Sequence, residues 1–366
     1  MHDNALMPAL VLGELRAKIP VVQGGMGVGI SLSSLASAVA NAGGIGVIST
    51  VGLGLDRPEH AKNPLETCVE AIREEIRRAR EKTKGILGVN IMVASSNFAT
   101  EVRAAIGAGI DIIFSGAGLP LDLPRYLEQG VKTKLVPIVS SAKAARVLLR
   151  QWTTKYGYAP DAFVVEGPLA GGHLGFKREQ IDDPAFALEK LVPQVLDEVT
   201  AFEQGGGKHI PVIAAGGIFT GADIYRMLQL GASGVQMGTR FVCTHECDAS
   251  PAFKQAYLDC EQADIGIISS PVGMPGRAIR NDFIRMAERG EKVPFHCPYQ
   301  CIITCDHQKS PYCIALALLN AKRGNLGAGY AFAGANACRI RELTSVPALI
   351  AELSAGYAQA SMEDKA

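Results

Sequence analysis

Between residues 20 and 245, short and nearly continuous apolar runs alternate with longer segments whose apolar positions recur every three or four residues. The runs are VVQGG (21–25), GIGVIST (44–50), ILGVNIMV (86–93), IDIIFSGAG (110–118), KLVPIVSS (134–141), AFVVEGP (162–168), IPVIAAGGI (210–218) and GVQMGTRFV (234–242). Runs this apolar predict strands covered on both faces, and the three-to-four spacing predicts helices with one apolar stripe. The helical segments are LSSLASAVANAG, NPLETCVEAIREEIRRAREKT, FATEVRAAIGAG, LPRYLEQG, AKAARVLLRQWTTKYG, residues 184–204 and GADIYRMLQLG. Eight strand–helix units predict an α/β protein with a parallel sheet, and a closed (β/α)8 TIM barrel suits eight better than an open sheet. A doubly wound sheet stays open as the alternative, because closure is not written in any local pattern.

The alternation stops from about 246 to 342, which holds DIGIISSPVGMPGRAIR, a polar helix (NDFIRMAERG), a cysteine-rich segment and GNLGAGYAFAGANA. SVPALIAELSAGYAQ then reads as an amphipathic helix suited to close the barrel. The expected organisation is a barrel over 1–245 and 343–366, with 246–342 inserted after strand 8 and covering the barrel mouth. No internal repeat is visible beyond the strand–helix units.

Composition narrows the partners. The 366 residues carry 36 Lys+Arg against 36 Asp+Glu, which leaves no electrostatic footprint for nucleic acid or an anionic membrane. No apolar stretch approaches the ~18 residues of a membrane span. The start, MHDNALMPALVLGELRAK, lacks the layout of an export signal, so a cytoplasmic location with nine reduced cysteines is expected. A small molecule is the expected partner.

Glycines come in four pairs beside the apolar runs: Gly24-Gly25, Gly43-Gly44, Gly171-Gly172 and Gly216-Gly217. Each serves either a short turn or a close approach of backbone to ligand. Loops 214–221 (AAGGIFTG) and 236–241 (QMGTRF) end units seven and eight, where many barrels bind phosphate, and Thr239 adds a hydroxyl. No G-x-x-x-x-G-K-[ST] and no strand–GxGxxG–helix is present; GMGVG (25–29) has the wrong spacing. His173, in VEGPLAGGHLG, follows strand 6 by a few residues and so stands at the catalytic face as a general acid, base or hydrogen-bond donor. The bland alternative is a turn histidine. His2, His60, His209, His245, His296 and His307 show no metal-ligand spacing.

PVVQGGMG (20–27), GVNIMV (88–93), EGPLAGGH (166–173), PVIAAGGI (211–218) and QMGTRFV (236–242) together resemble the nitronate monooxygenases, formerly 2-nitropropane dioxygenases. The resemblance spans roughly 15 to 245, and more loosely the last helix. It implies an FMN-dependent barrel whose relatives include enoyl-acyl-carrier-protein and NAD(P)H:quinone reductases. By that resemblance Gly25 and Met26 approach the flavin ring, and Asn90 bonds its polar edge. Glu166, Gly171 and Gly172 line it from strand 6, while Gly217, Gln236, Met237, Gly238 and Thr239 surround its phosphate. His173 faces the substrate. Many members have Gln where this chain has Glu166, and a carboxylate can donate to the flavin only when protonated.

The implied reaction is oxidation of an alkyl nitronate with O2 to a carbonyl compound and nitrite, with His173 stabilising the anion or removing an α-proton. The alternative keeps the flavin and draws on NAD(P)H to reduce a quinone or enoyl thioester. A third reading is a non-catalytic FMN-binding or metal-scaffold protein. Arg277, in SPVGMPGRAI, is either a binder of an anionic group on substrate or nicotinamide cofactor, or a solvated surface residue.

Cys297, Cys301, Cys305 and Cys313 invite a zinc or iron–sulfur reading. On a continuous helix Cys297 and Cys305 would lie about 12 Å apart, too far for one tetrahedral site. A helical stripe at i, i+4, i+8, buried as small apolar residues, is the competing reading, and no metal is assigned.

Overall fold

The computed structural model describes residues 7–291, 297 and 300–365. Each of the eight apolar runs contains a strand: β1 (Val21–Gln23), β2 (Gly46–Ser49), β3 (Leu87–Met92), β4 (Ile112–Gly116), β5 (Lys134–Val139), β6 (Phe163–Glu166), β7 (Val212–Ala215) and β8 (Gly234–Met237). They form one parallel sheet in the order β1-β8-β7-β6-β5-β4-β3-β2. The seam between its ends is bridged at Val22 and Ile45, where Gln23 N–H reaches Ile45 O at 2.9 Å. The buried Gln23 side chain adds a bond from Val47 N–H to its Oε1 at 2.9 Å. The ends thus meet as a barrel, and the open-sheet alternative falls away.

Strands covered on both faces need two apolar layers. Inside the barrel Val22, Ile45, Phe114, Val136, Val164 and Ile213 pack together, closed below by Leu10 and Leu12 of an N-terminal hairpin. Outside, the helices bury one stripe each: in Pro64–Lys82 the buried apolar residues are Ala71, Ile72, Ile76 and Ala79. Caps mark the boundaries. Ser141 accepts Ala144 N–H at the start of Ala142–Tyr156, and Thr220 and Asp223 form a capping box before Gly221–Gln229.

Two units depart from the pattern. LPRYLEQG makes only the 3-10 turn Leu123–Tyr126, which ends where Leu127 turns to extended backbone (φ -79°, ψ 112°). Pro124 sits in its first turn, where the missing N–H costs nothing. The eighth run ends its strand at Met237, and Thr239–Val242 is a helical turn.

Beyond β8 the chain forms helix Pro251–Asp259, the antiparallel hairpin Ile265–Ser269/Pro275–Ile279, and helices Asp282–Glu288 and Ile314–Lys322. The hairpin and the latter two helices build an apolar cluster of their own around Ile268, Phe283, Tyr312 and Tyr330, while Phe253 and Tyr257 of the first helix join the main core. The final helix, Val346–Glu363, packs against Gly221–Gln229. Among the described residues no helix is long and apolar enough to cross a membrane.

Candidate active site

At the C-terminal ends of the strands lies a cavity of about 1000 Å3. Gly25, Met26, Asn90, Glu166, Gly171, Gly172, His173, Gly217, Gln236, Met237, Gly238 and Thr239 all line it. The barrel brings them together: each sits at or just past the end of a strand, so residues 200 apart in sequence share one wall.

Three of these side chains are polar and unpartnered. The Asn90 and Gln236 amides and the Glu166 carboxyl have no hydrogen-bond partner among the described residues, and the Ser49 hydroxyl beside them is buried without one. Of these only the Ser49 hydroxyl is buried outright and so lacks the partner such groups ordinarily have. The half-buried amides and carboxyl open onto the cavity and offer a polar wall to a ligand seated there. Burial pushes the Glu166 carboxyl up to about 7.

His173 belongs to the two-residue strand Gly172–His173, which pairs with Arg277 and Gly276 of the outer hairpin. Its Nε2 lies 2.7 Å from Ser270 Oγ, and its ring meets Phe332 edge-on at 5.0 Å. Burial lowers its pKa to about 4, so the imidazole is neutral near pH 7.

The two glycines before it work differently. Gly172 has φ +78° and opens onto free space, a conformation other residues adopt at a cost. A Cβ on Gly171 would sit 2.6 Å from Ala333 C and Gly334 N. What crosses Gly171 closely is therefore the 333–334 backbone. The same segment closes the phosphate-type loops: Gly334 N–H bonds Thr239 Oγ1 at 3.1 Å, and Asn336 Nδ2 donates to Gly217 O at 2.6 Å. Thr239 keeps its own O–H proton to give to a ligand.

Arg277 corrects an expectation. It is buried, donates from Nε to Ala170 O at 3.2 Å and from Nη2 to Pro168 O at 2.8 Å, and does not line the cavity. Two of its donors hold the loop that carries His173, so it is not the solvated surface residue of one reading.

The cysteine stripe is corrected too. No helix runs through the described residues of 297–312; Ile302 bridges Ser95, and Ser96 N–H bonds Cys301 O at 3.1 Å. Cys313 precedes helix Ile314–Lys322, and Cys301 alone of the four lines the cavity. Among the described residues no three His, Cys, Asp or Glu side chains are arranged to hold a metal. Burial first, then the neighbouring Cys313, Cys297 and Cys305, push the Cys301 thiol up to about 12. His2 and His296 lie outside the described residues.

Phe332, Gly334 and Asn336 line the cavity without having been expected there, and Ser270 bonds His173 from SPVGMPGRAI, in which only Arg277 had been singled out. All four come from 246–342, where no strand–helix rhythm indicates which residues face the barrel. The only signal was glycine density in GYAFAGANA.

A strand-end cavity with phosphate-type loops, a polar wall and a neutral histidine is the layout of a (β/α)8 barrel enzyme with room for a phosphate-bearing cofactor. The chain belongs to the nitronate monooxygenase family, whose sequence profile matches residues 10–356. FMN is the cofactor of this group, and the residues present fit it: the amides and carboxyl supply a polar edge and the glycine loops a phosphate cradle. The chain is 27% identical to a probable nitronate monooxygenase of Staphylococcus saprophyticus, over 78% of this chain and 82% of that one. It is 31% identical to the (3aS,4S,5R,7aS)-5-hydroxy-7a-methyl-1-oxo-octahydro-1H-indene-4-carboxyl-CoA dehydrogenase of Mycobacterium tuberculosis over 75% of this chain, and spans 66% of that protein. Among solved structures, FabK from Thermotoga maritima superposes with a TM-score of 0.72 at 28% identity, covering 94% of both chains.

Proposed function

We propose that this chain oxidises alkyl nitronates with O2, giving a carbonyl compound and nitrite. Bound FMN supplies the two-electron redox chemistry. The observation that carries the reading is the convergence of unpartnered Asn90, Glu166 and Gln236 with a neutral His173 on one cavity. Asn90, Glu166 and Gln236 hold the flavin's polar groups, and Gly217, Gly238 and Thr239 its phosphate.

A neutral imidazole does not attract an anion by charge. His173 instead donates a hydrogen bond to the nitronate oxygens, with Ser270 on Nε2 leaving Nδ1 to carry the proton. A base of pKa about 4 is weak, so preformed nitronate is the better substrate than the neutral nitroalkane. Residues 246–342 act as the substrate-side cover, delivering Ser270 and Phe332 to His173.

One observation favours a second reading, NAD(P)H-linked reduction of a quinone or enoyl thioester. The cavity volume stands at the upper end of the ~300–1,000 Å3 of small-molecule sites, more than a cofactor and a short nitronate need. Anaerobic flavin reduction by NADH, NADPH and propyl nitronate, followed side by side, decides between them. Fast bleaching by nitronate alone supports the first reading; fast bleaching by a nicotinamide with none by nitronate overturns it.

A further inference from the structure

The Glu166 carboxyl is anomalous within its own wall. Asn90 and Gln236 can donate as well as accept, but an ionised carboxylate only accepts. Glu166 stands at the end of β6 between Ala215 of β7 and the end of β5, where Ser140 is the nearest polar residue in sequence. None of these titrates. The titratable groups that share its cavity are His173 on its own loop, Lys143 and Lys177 beyond β5 and β6, and Glu101, Cys68 and His60 on the β2–β3 side. Tyr257 and Cys301 approach from the cover. None of them acts on Glu166; burial alone displaces it, to about 7. Among the described residues Glu166 forms no ion pair that would offset the desolvation of its charged form. A flat ligand seated on this wall removes the remaining water and raises the cost of that charge further.

We propose that Glu166 holds FMN as a neutral carboxylic acid, donating its proton in a hydrogen bond to the flavin, so that FMN binding takes up a proton. The inference rests on the cavity being the flavin site. The sign follows from linkage: the free protein loses the proton as pH rises through the carboxyl's range, and the complex retains it, so affinity falls with rising pH.

The test is titration of FMN into the full-length apoprotein from pH 6.5 to 9, by flavin fluorescence and by calorimetry in two buffers of different ionisation enthalpy. In the wild type Kd should rise with pH, approaching about tenfold per unit above pH 7, with close to one proton taken up at pH 8. In Glu166→Gln, whose amide donates at every pH, the slope and the uptake should vanish. Saturable wild-type binding that is flat with pH, or that releases a proton, overturns the proposal and leaves the flavin site standing. An unchanged slope in E166Q overturns it equally. If E166Q does not fold, the wild-type proton count decides alone. Failure of FMN to bind at any pH overturns the site assignment, and the inference with it.

Discussion

Burial moves the two titratable groups of the β6 loop in opposite senses, because it disfavours whichever form is charged. His173 falls to about 4 and Glu166 rises to about 7. For His173 the folded pKa lies below the unfolded value of 6.5, so its contribution to stability is intact above that value and is lost as pH falls toward 4. For Glu166 the folded protein holds its proton where the unfolded chain has released it, so stability declines as pH rises from 4.5 through 7. E166Q apoprotein should therefore be more stable than wild type at pH 8.5, by up to about 3 kcal/mol for the shift from 4.5 to about 7. Thermal melts at pH 5 and pH 8.5 check this; a difference that does not grow with pH contradicts it. Removing the imidazole should lower kcat/KM on propyl nitronate by about a hundredfold, the scale of one positioned donor. Unchanged kcat/KM in His173→Ala would exclude its role.

The loop around His173 owes its shape to an element distant in sequence. The outer hairpin pairs with Gly172–His173, and its Arg277 satisfies two carbonyls of that loop. Arg277→Met keeps an apolar stem but strands both acceptors, at about 1–3 kcal/mol each. A lowered Tm with a raised KM is expected, and a Tm equal to wild type would show the clamp to be idle. Gly171→Ala drives a methyl into the 333–334 backbone, which cannot yield as a side chain could. Its expected cost is about 1–3 kcal/mol together with lower FMN occupancy, read by melting and by the flavin-to-protein absorbance ratio. At this scale the sequence was legible where local pattern decides. All eight strands lie inside their apolar runs because burial on both faces demands such runs. It was not legible in unit four, where the chain turns extended at Leu127 after a single 3-10 turn, nor in the cysteine segment, where Ile302 pairs with Ser95 instead of continuing a helix.

For the molecule as a whole, cavity size bears on substrate. A large space with much apolar wall should reward longer alkyl chains, each buried methylene adding about 0.8 kcal/mol, or roughly fourfold in kcat/KM. Comparing ethyl to hexyl nitronates tests this. A flat series would show that the extra volume serves something else, and a nicotinamide or a bulky thioester would then become the stronger candidate. The candidate site was legible to the extent that it lies on strand ends: every residue expected there lines the cavity. Which residues of 246–342 meet His173 was not legible, since Ser270 and Phe332 reach it only through the hairpin and loop that carry them.

By itself, the order of apolar runs and helical stripes determined eight strand–helix units of a covered parallel sheet, because burial on both faces follows from local pattern. The resemblance of the motifs to a known family supplied most of the expected wall, and closure of the barrel was left to the tertiary structure. Three more things only the tertiary structure decided: that Arg277 is buried and holds a loop, that Gly171 makes room for backbone, and that burial lowers His173 to about 4 and raises Glu166 to about 7. Each depends on what lies across space from the residue, and on how little water remains there.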